Sequence, residues 1–157
     1  MRGRVLSARV EPHPQLRHLH TVVVVLRVDE TLKGQPAANF AFRQYIWDPR
    51  DRLDAAGYRK GQHLLLLMNR PTPLGLASPA GLEQGRFRVV RDAAGNETLL
   101  NGAGNHGLLR NLAPQLRRKG VRLTTELAKK VTEERAGPLA LDEFRELVRH
   151  LREPNGK

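Results

Sequence analysis

Three histidines stand close together near the start of the chain: His13, His18 and His20. On a strand, His18 and His20 share a face and could offer two nitrogens to a zinc ion, with His13 as a third ligand. No carboxylate in the run supplies a fourth position, and Pro12 and Pro14 put His13 in a loop, so the cluster is read as loop histidines and no metal is assigned. Asp48, Asp51 and Asp54 recur every three residues, which on a helical turn lines carboxylates along one side, as a hard cation would require. Arg50, Arg52, Arg59 and Lys60 are interspersed and the spacing is not that of a calcium-binding loop, so ion pairs and turn capping account for the run. Gly102-Ala103-Gly104-Asn105-His106-Gly107 spells the glycine pattern of dinucleotide sites. Its preceding strand belongs to a hairpin and Pro114 follows within two turns, so the glycines are read as an exit from the last strand and no cofactor is expected. The only serines, Ser7 and Ser78, lie in no nucleophile-elbow context, and no cysteine exists to serve as thiol nucleophile or metal ligand. The chain is read as non-enzymatic.

What remains is charge. The 157 residues carry 27 Lys and Arg against 16 Asp and Glu, a formal +11. Nucleic acid, another polyanion or an anionic membrane surface are then the partners to weigh first. The surplus is spread along the chain, +6 over residues 1–101 (15 basic, 9 acidic) and +5 over residues 102–157 (12 basic, 7 acidic). One stretch concentrates it: Gly102–Arg122 holds Arg110, Arg117, Arg118, Lys119 and Arg122 and no acid. Aromatic residues are only 4% of the chain. Alternation sends Phe40, Phe42 and Phe87 to the core and leaves Tyr45 and Trp47, beside Arg43, as stacking platforms. These eight residues, Arg43, Tyr45, Trp47, Arg110, Arg117, Arg118, Lys119 and Arg122, form the candidate polyanion-binding set.

The elements that must position them change period along the chain. The first hundred residues read as about six short strands separated by turn signals. Leu6, Ala8 and Val10 alternate with Ser7 and Arg9. Thr21–Val28 is β-branched and nearly continuous in apolar character, as in a strand buried on both faces. Asn39–Trp47 alternates, His63–Asn69 is another buried strand, and Gly85–Arg91 closes a hairpin through Ala93–Asn96 onto Glu97–Asn101. The last third is helical. Thr124 and Thr125 are N-cap candidates for Glu126–Arg135, and Leu141–Glu153 places Phe144, Leu147, Val148 and Leu151 at i, i+3, i+4 and i+7. No apolar run approaches the ~20 residues of a membrane span.

The fold class expected is mainly β with C-terminal helices: a small antiparallel OB-like barrel over residues 1–101, then two or three α-helices over residues 102–157 packing on the barrel or on a second subunit. The blocks G-R-V-x-S (Gly3–Ser7), T-L-K-G (Thr31–Gly34), K-G-Q with L-L-L-L (Lys60–Leu67), L-E-Q-G-R-F-R-V (Leu82–Val89) and L-x-x-F-R-x-L-V (Leu141–Val148) resemble those of a group of exported bacterial proteins. Their barrel is similar to netrin-like and tissue-inhibitor-of-metalloproteinase domains. The resemblance implies fold and export, hence a periplasmic or secreted protein if a leader precedes Met1 and a cytoplasmic one otherwise; it implies no activity. The inhibitors' zinc-chelating wedge needs an N-terminal cysteine, which this chain lacks. The function expected is a non-catalytic binding or accessory module, monomer or homodimer, that meets a protein partner through loops Pro12–Pro14 and Pro71–Gly81 and segment Asp48–Lys60. The alternative is nucleic-acid or polyanion binding through the candidate set.

Overall fold

A run of valines sets the first sheet. In the computed structural model, which describes residues 1–35 and 37–152, β2 (His20–Glu30) buries Val22, Val24 and Leu26 on one face and half-buries Val23 and Val25 on the other. β-Branched side chains favour this extended, two-sided environment. β2 pairs antiparallel along its length with β1 (Arg2–Pro12) and with β3 (Asn39–Tyr45). β1 continues through Arg2–Arg4 into antiparallel β4 (His63–Leu66), which pairs with the first residues of β5 (Arg86–Arg91).

The alternation expected of β1 is broken by a β-bulge. Val5 pairs with Leu26 and Ser7 with Val25, so Leu6 has no partner and turns outward, 42% exposed. The extra residue reverses the phase of the strand: Gly3 and Val5 face inward before it, Ala8 and Val10 after it. Val5, Val22, Val24, Leu26, Phe42, Ile46, Tyr58, Leu64 and Leu66 make the core of this first compact unit, Met1–Arg88, with Ala77 reaching in from a loop.

The second unit, Val89–Lys157, holds the rest of β5, β6 (Glu97–Asn101), α1 (Leu112–Arg118), α2 (Thr125–Thr132), β7 (Leu139–Ala140) and α3 (Leu141–Arg152). Pro114 sits in the first turn of α1, where a missing N–H costs no helical bond. Leu127 and Val131 of α2 and Phe144 and Leu147 of α3 are buried at the positions their spacing predicts. Thr124 is the residue that precedes α2, but its side chain makes no capping bond. Glu143 does cap α3, its carboxylate accepting from the Ala140 N–H at 3.1 Å. α1 packs on α2, and α3 on β6 and β7. Among the described residues no helix is long and apolar enough to cross a membrane.

Hydrogen-bonded strands follow the order β3-β2-β1-β4-β5-β6-β7. This order does not return on itself, so the fold is mixed α/β, an unclosed seven-stranded antiparallel sheet with three helices. The expected OB-like barrel is not formed, and the resemblance to netrin-like and tissue-inhibitor domains falls with it. So does the basis for export, which rested on that resemblance alone. A barrel closes when the stagger of its strands brings the last onto the first. Here the outer edge of β3 is met by the chain's own Leu76, in a single parallel bridge to Arg43, and β7 is two residues long. Neither end offers a ladder for closure.

Candidate binding site

The C-terminal end of β3 carries three members of the candidate set, Arg43, Tyr45 and Trp47. Arg43 and Tyr45 project from one face of the strand because Phe42 and Ile46 are buried on the other. The Arg43 guanidinium is occupied. It donates to Glu11 Oε1 at 2.6 Å, to Thr21 Oγ1 at 2.7 Å and to the Pro12 carbonyl at 3.4 Å, and its side chain is only 19% exposed. Thr21 Oγ1 in turn donates to the Glu11 carbonyl at 2.8 Å. Arg43 therefore ties β3 to β1 and β2 and has little left to offer a ligand.

Tyr45 and Trp47 are different. Their rings meet edge to face, centroids 4.8 Å apart at 84°, and Trp47 is 75% exposed. They form one wall of a cleft of about 270 Å³, closed on the other side by Asn69, Arg70, Thr72, Leu76, Ser78 and Leu82. The Asn69–Leu82 segment is held in place at several points. The Ala77 N–H donates to the Arg43 carbonyl at 2.8 Å, the Asn69 N–H to Ser78 at 2.9 Å, and the Ala80 N–H to Leu67 at 2.7 Å. Thr72 folds the tip, its N–H donating to the Leu76 carbonyl and its Oγ1 accepting from the Leu76 N–H. Gly85 permits the fold-back: a Cβ there would lie 2.5 Å from the Ala80 carbonyl oxygen.

His13 is the last clamp. It is 2% exposed, with Nε2 2.9 Å from the Leu74 carbonyl and Nδ1 accepting from the Gln15 and Leu16 N–H groups at 3.2 and 3.1 Å. These bonds select the tautomer with the proton on Nε2. Neither nitrogen is open to a metal. His20 Nε2 lies 2.9 Å from the Arg52 guanidinium and His18 is exposed. The histidines do not converge, and among the described residues no group of three His, Asp or Glu side chains could hold a metal.

The aspartates also serve the chain itself. Asp48 caps the turn Pro49–Arg52 and pairs with Arg50, whose hydrogen bonds hold its carboxyl down at about 2. Beneath the cleft, the Tyr58 hydroxyl donates to Gln44 Oε1 at 3.0 Å while Arg86 lies 4.5 Å over its ring. Burial pushes the Tyr58 phenol up to about 12.

In the second unit the glycine pattern becomes a turn built by two asparagines. Asn101 Oδ1 accepts from the Asn105 and Ala103 N–H groups at 2.7 and 3.0 Å, and Asn105 Oδ1 accepts from the Asn101 N–H at 2.9 Å. Asn105 Nδ2 donates to the Leu99 and Gly137 carbonyls at 2.9 and 2.8 Å. The Ala103 and Asn105 N–H groups thus close on side chains, and those of Gly104 and His106 close on the Asn101 and Ala103 carbonyls. Of the basic stretch, Lys119 is bound to the last turn of α3, donating to the His150 and Leu151 carbonyls at 3.4 and 3.1 Å. Arg110, Arg117, Arg118 and Arg122 are exposed and make no ion pair or hydrogen bond through their side chains among the described residues.

Sequence reasoning marked Tyr45, Trp47 and the Pro71–Gly81 loop separately; the structure makes them opposite walls of one cleft. It missed Arg70 and Asn69, which have no spacing signal because a long-range loop contact brings them in. Comparison with family models, with curated proteins and with solved structures finds no match to this chain.

Proposed function

We propose that this chain is a non-catalytic binding module that seats a segment of a protein partner in the Tyr45/Trp47 cleft. The observation that carries the reading is Trp47, a large apolar ring left 75% exposed on the rim of a cleft whose far wall is hydrogen-bonded in place. Exposed aromatics beside a preformed apolar cleft are the usual anchors of protein recognition. A rigid wall also spares the partner the cost of ordering a loop. The test is selection of peptides from a displayed random library on the full chain, followed by binding to Trp47→Ser. The side chain is exposed, so the variant keeps its fold. Selected peptides are expected to lose affinity at least about tenfold on Trp47→Ser; no enrichment, or equal binding to the variant, overturns the reading.

A second reading, polyanion binding, is favoured by Arg110, Arg117, Arg118 and Arg122, which the fold leaves without carboxylate partners among the described residues. For a single-stranded oligonucleotide held by four phosphate contacts, log affinity should fall against log salt with a slope of about −3. A flat salt response overturns it.

A further inference from the structure

We propose that the occupant of the Tyr45/Trp47 cleft is a proline-rich segment in polyproline II conformation that also carries an acidic residue; this rests on the cleft being the binding site. An extended peptide commonly docks by adding a strand to a sheet edge, and β3 is such an edge. At Arg43 that mode is interrupted, because the Arg43 carbonyl already accepts from Ala77 and Leu76 occupies the bridging position, which leaves only Tyr45 of the strand beyond it. The ligand must be recognised through side chains and not through a ladder. Polyproline II is the extended conformation that needs no ladder and is ordered before it binds.

The Arg70, Asn69 and Ser78 side chains at the cleft have no partner among the described residues. No Asp or Glu lines the cleft. Such a surface donates through a guanidinium, an amide and a hydroxyl, and accepts only through neutral amide and hydroxyl oxygens. A proline-rich segment is its complement, since every carbonyl accepts and each proline lacks an N–H that would need an acceptor. The apolar part matches as well. The uncovered face of Trp47, set at 84° to Tyr45, offers a notch for a pyrrolidine ring, with Leu76 and Leu82 beyond it.

Arg70 lines the cleft without an ion-pair partner among the described residues, and the first unit carries 14 basic and 7 acidic side chains. An acidic residue in the ligand is attracted, and a basic one is repelled.

Trp47 is the only tryptophan, so its emission reports the site directly. The full chain is titrated with a panel of synthetic decapeptides free of Trp and Tyr, each with a Pro-x-x-Pro core and one Asp, the Asp moved through every other position. Matched peptides replace both prolines by Ala, or the Asp by Lys. At least one Pro/Asp peptide is expected to give a saturable emission shift that weakens about tenfold or more with Pro→Ala. Asp→Lys should cost about fivefold, and Arg70→Gln should erase that difference while keeping the proline dependence. Equal binding of the Pro→Ala peptides, or no binding by any of the panel, overturns the proposal. So does a ten-residue oligothymidylate that shifts Trp47 emission when the peptides do not. If display-selected peptides need Trp47 but contain no proline, the binding-module reading stands and this inference alone falls.

Discussion

At the end of β3 the Arg43 guanidinium is spent on Glu11, Thr21 and Pro12, whereas along Gly102–Arg122 four arginines reach solvent with no acidic partner among the described residues. Both regions carry basic side chains that the sequence singles out for the same polyanion. What separates them is the neighbourhood. β1 brings a carboxylate and a carbonyl to Arg43 and β2 a hydroxyl, and a partly buried guanidinium must be paired there or destabilise the sheet. Arg117 and Arg118 follow the buried Leu116 of α1 and face outward, where water satisfies them. A cation becomes free for a ligand when the fold has no use for it.

The comparison can be tested on groups the fold uses and groups it does not. The largest effect should come from the asparagine turn. Asn105→Ala removes one buried acceptor and two donors, and is expected to cost about 3 kcal/mol in urea denaturation. Asn105→Gly, which suits the positive φ at that position, should be nearly as damaging if the hydrogen bonds and not the backbone angle hold the turn. Tyr58 comes next. Its phenol is raised from 10.0 to about 12 by burial, so between those values the folded state binds more protons than the unfolded one. The contribution is complete below pH 10, falls as pH rises and is gone above about 12, on the order of 2 kcal/mol. The stability difference between the wild type and Tyr58→Phe, followed from pH 9 upward, should shrink through that window; a constant difference would refute the burial argument.

Arg43→Met is expected to cost about 1–2 kcal/mol, since Glu11 keeps partial access to water. If instead it weakened oligonucleotide binding at unchanged stability, the contrast between the two regions would collapse. The smallest effect on stability belongs to Arg110→Gln, Arg117→Gln, Arg118→Gln and Arg122→Gln, each within about 0.5 kcal/mol. Their combination should flatten the salt dependence of oligonucleotide binding if the second reading holds.

Local pattern carried much of the secondary structure. The i, i+3, i+4, i+7 stripe of α3 announces itself because burial of one helix face leaves a periodic trace, and the valine run of β2 because a strand covered on both faces leaves a continuous apolar one. Strand count, however, is the same for an open sheet and a closed one. Closure depends on stagger summed over all strands, and no window of sequence contains it. The bulge at Leu6 is hidden for a related reason: one extra residue makes Leu6, Ala8 and Val10 look continuous although Leu6 faces out. Of the site, Tyr45 and Trp47 were readable as aromatics left over from the core pattern. Arg70 was not, since its place comes from where Leu74 and Ala77 are anchored, at His13 and Arg43.

The bridge from Leu76 to Arg43 has a consequence for colloidal behaviour. An unprotected edge strand is a template on which another copy can grow a sheet, and β3, with two phenylalanines in seven residues, is the kind of segment that aggregates when its edge is bare. By laying a short piece of its own loop along that edge at Arg43, the chain shields this strand two residues before its end.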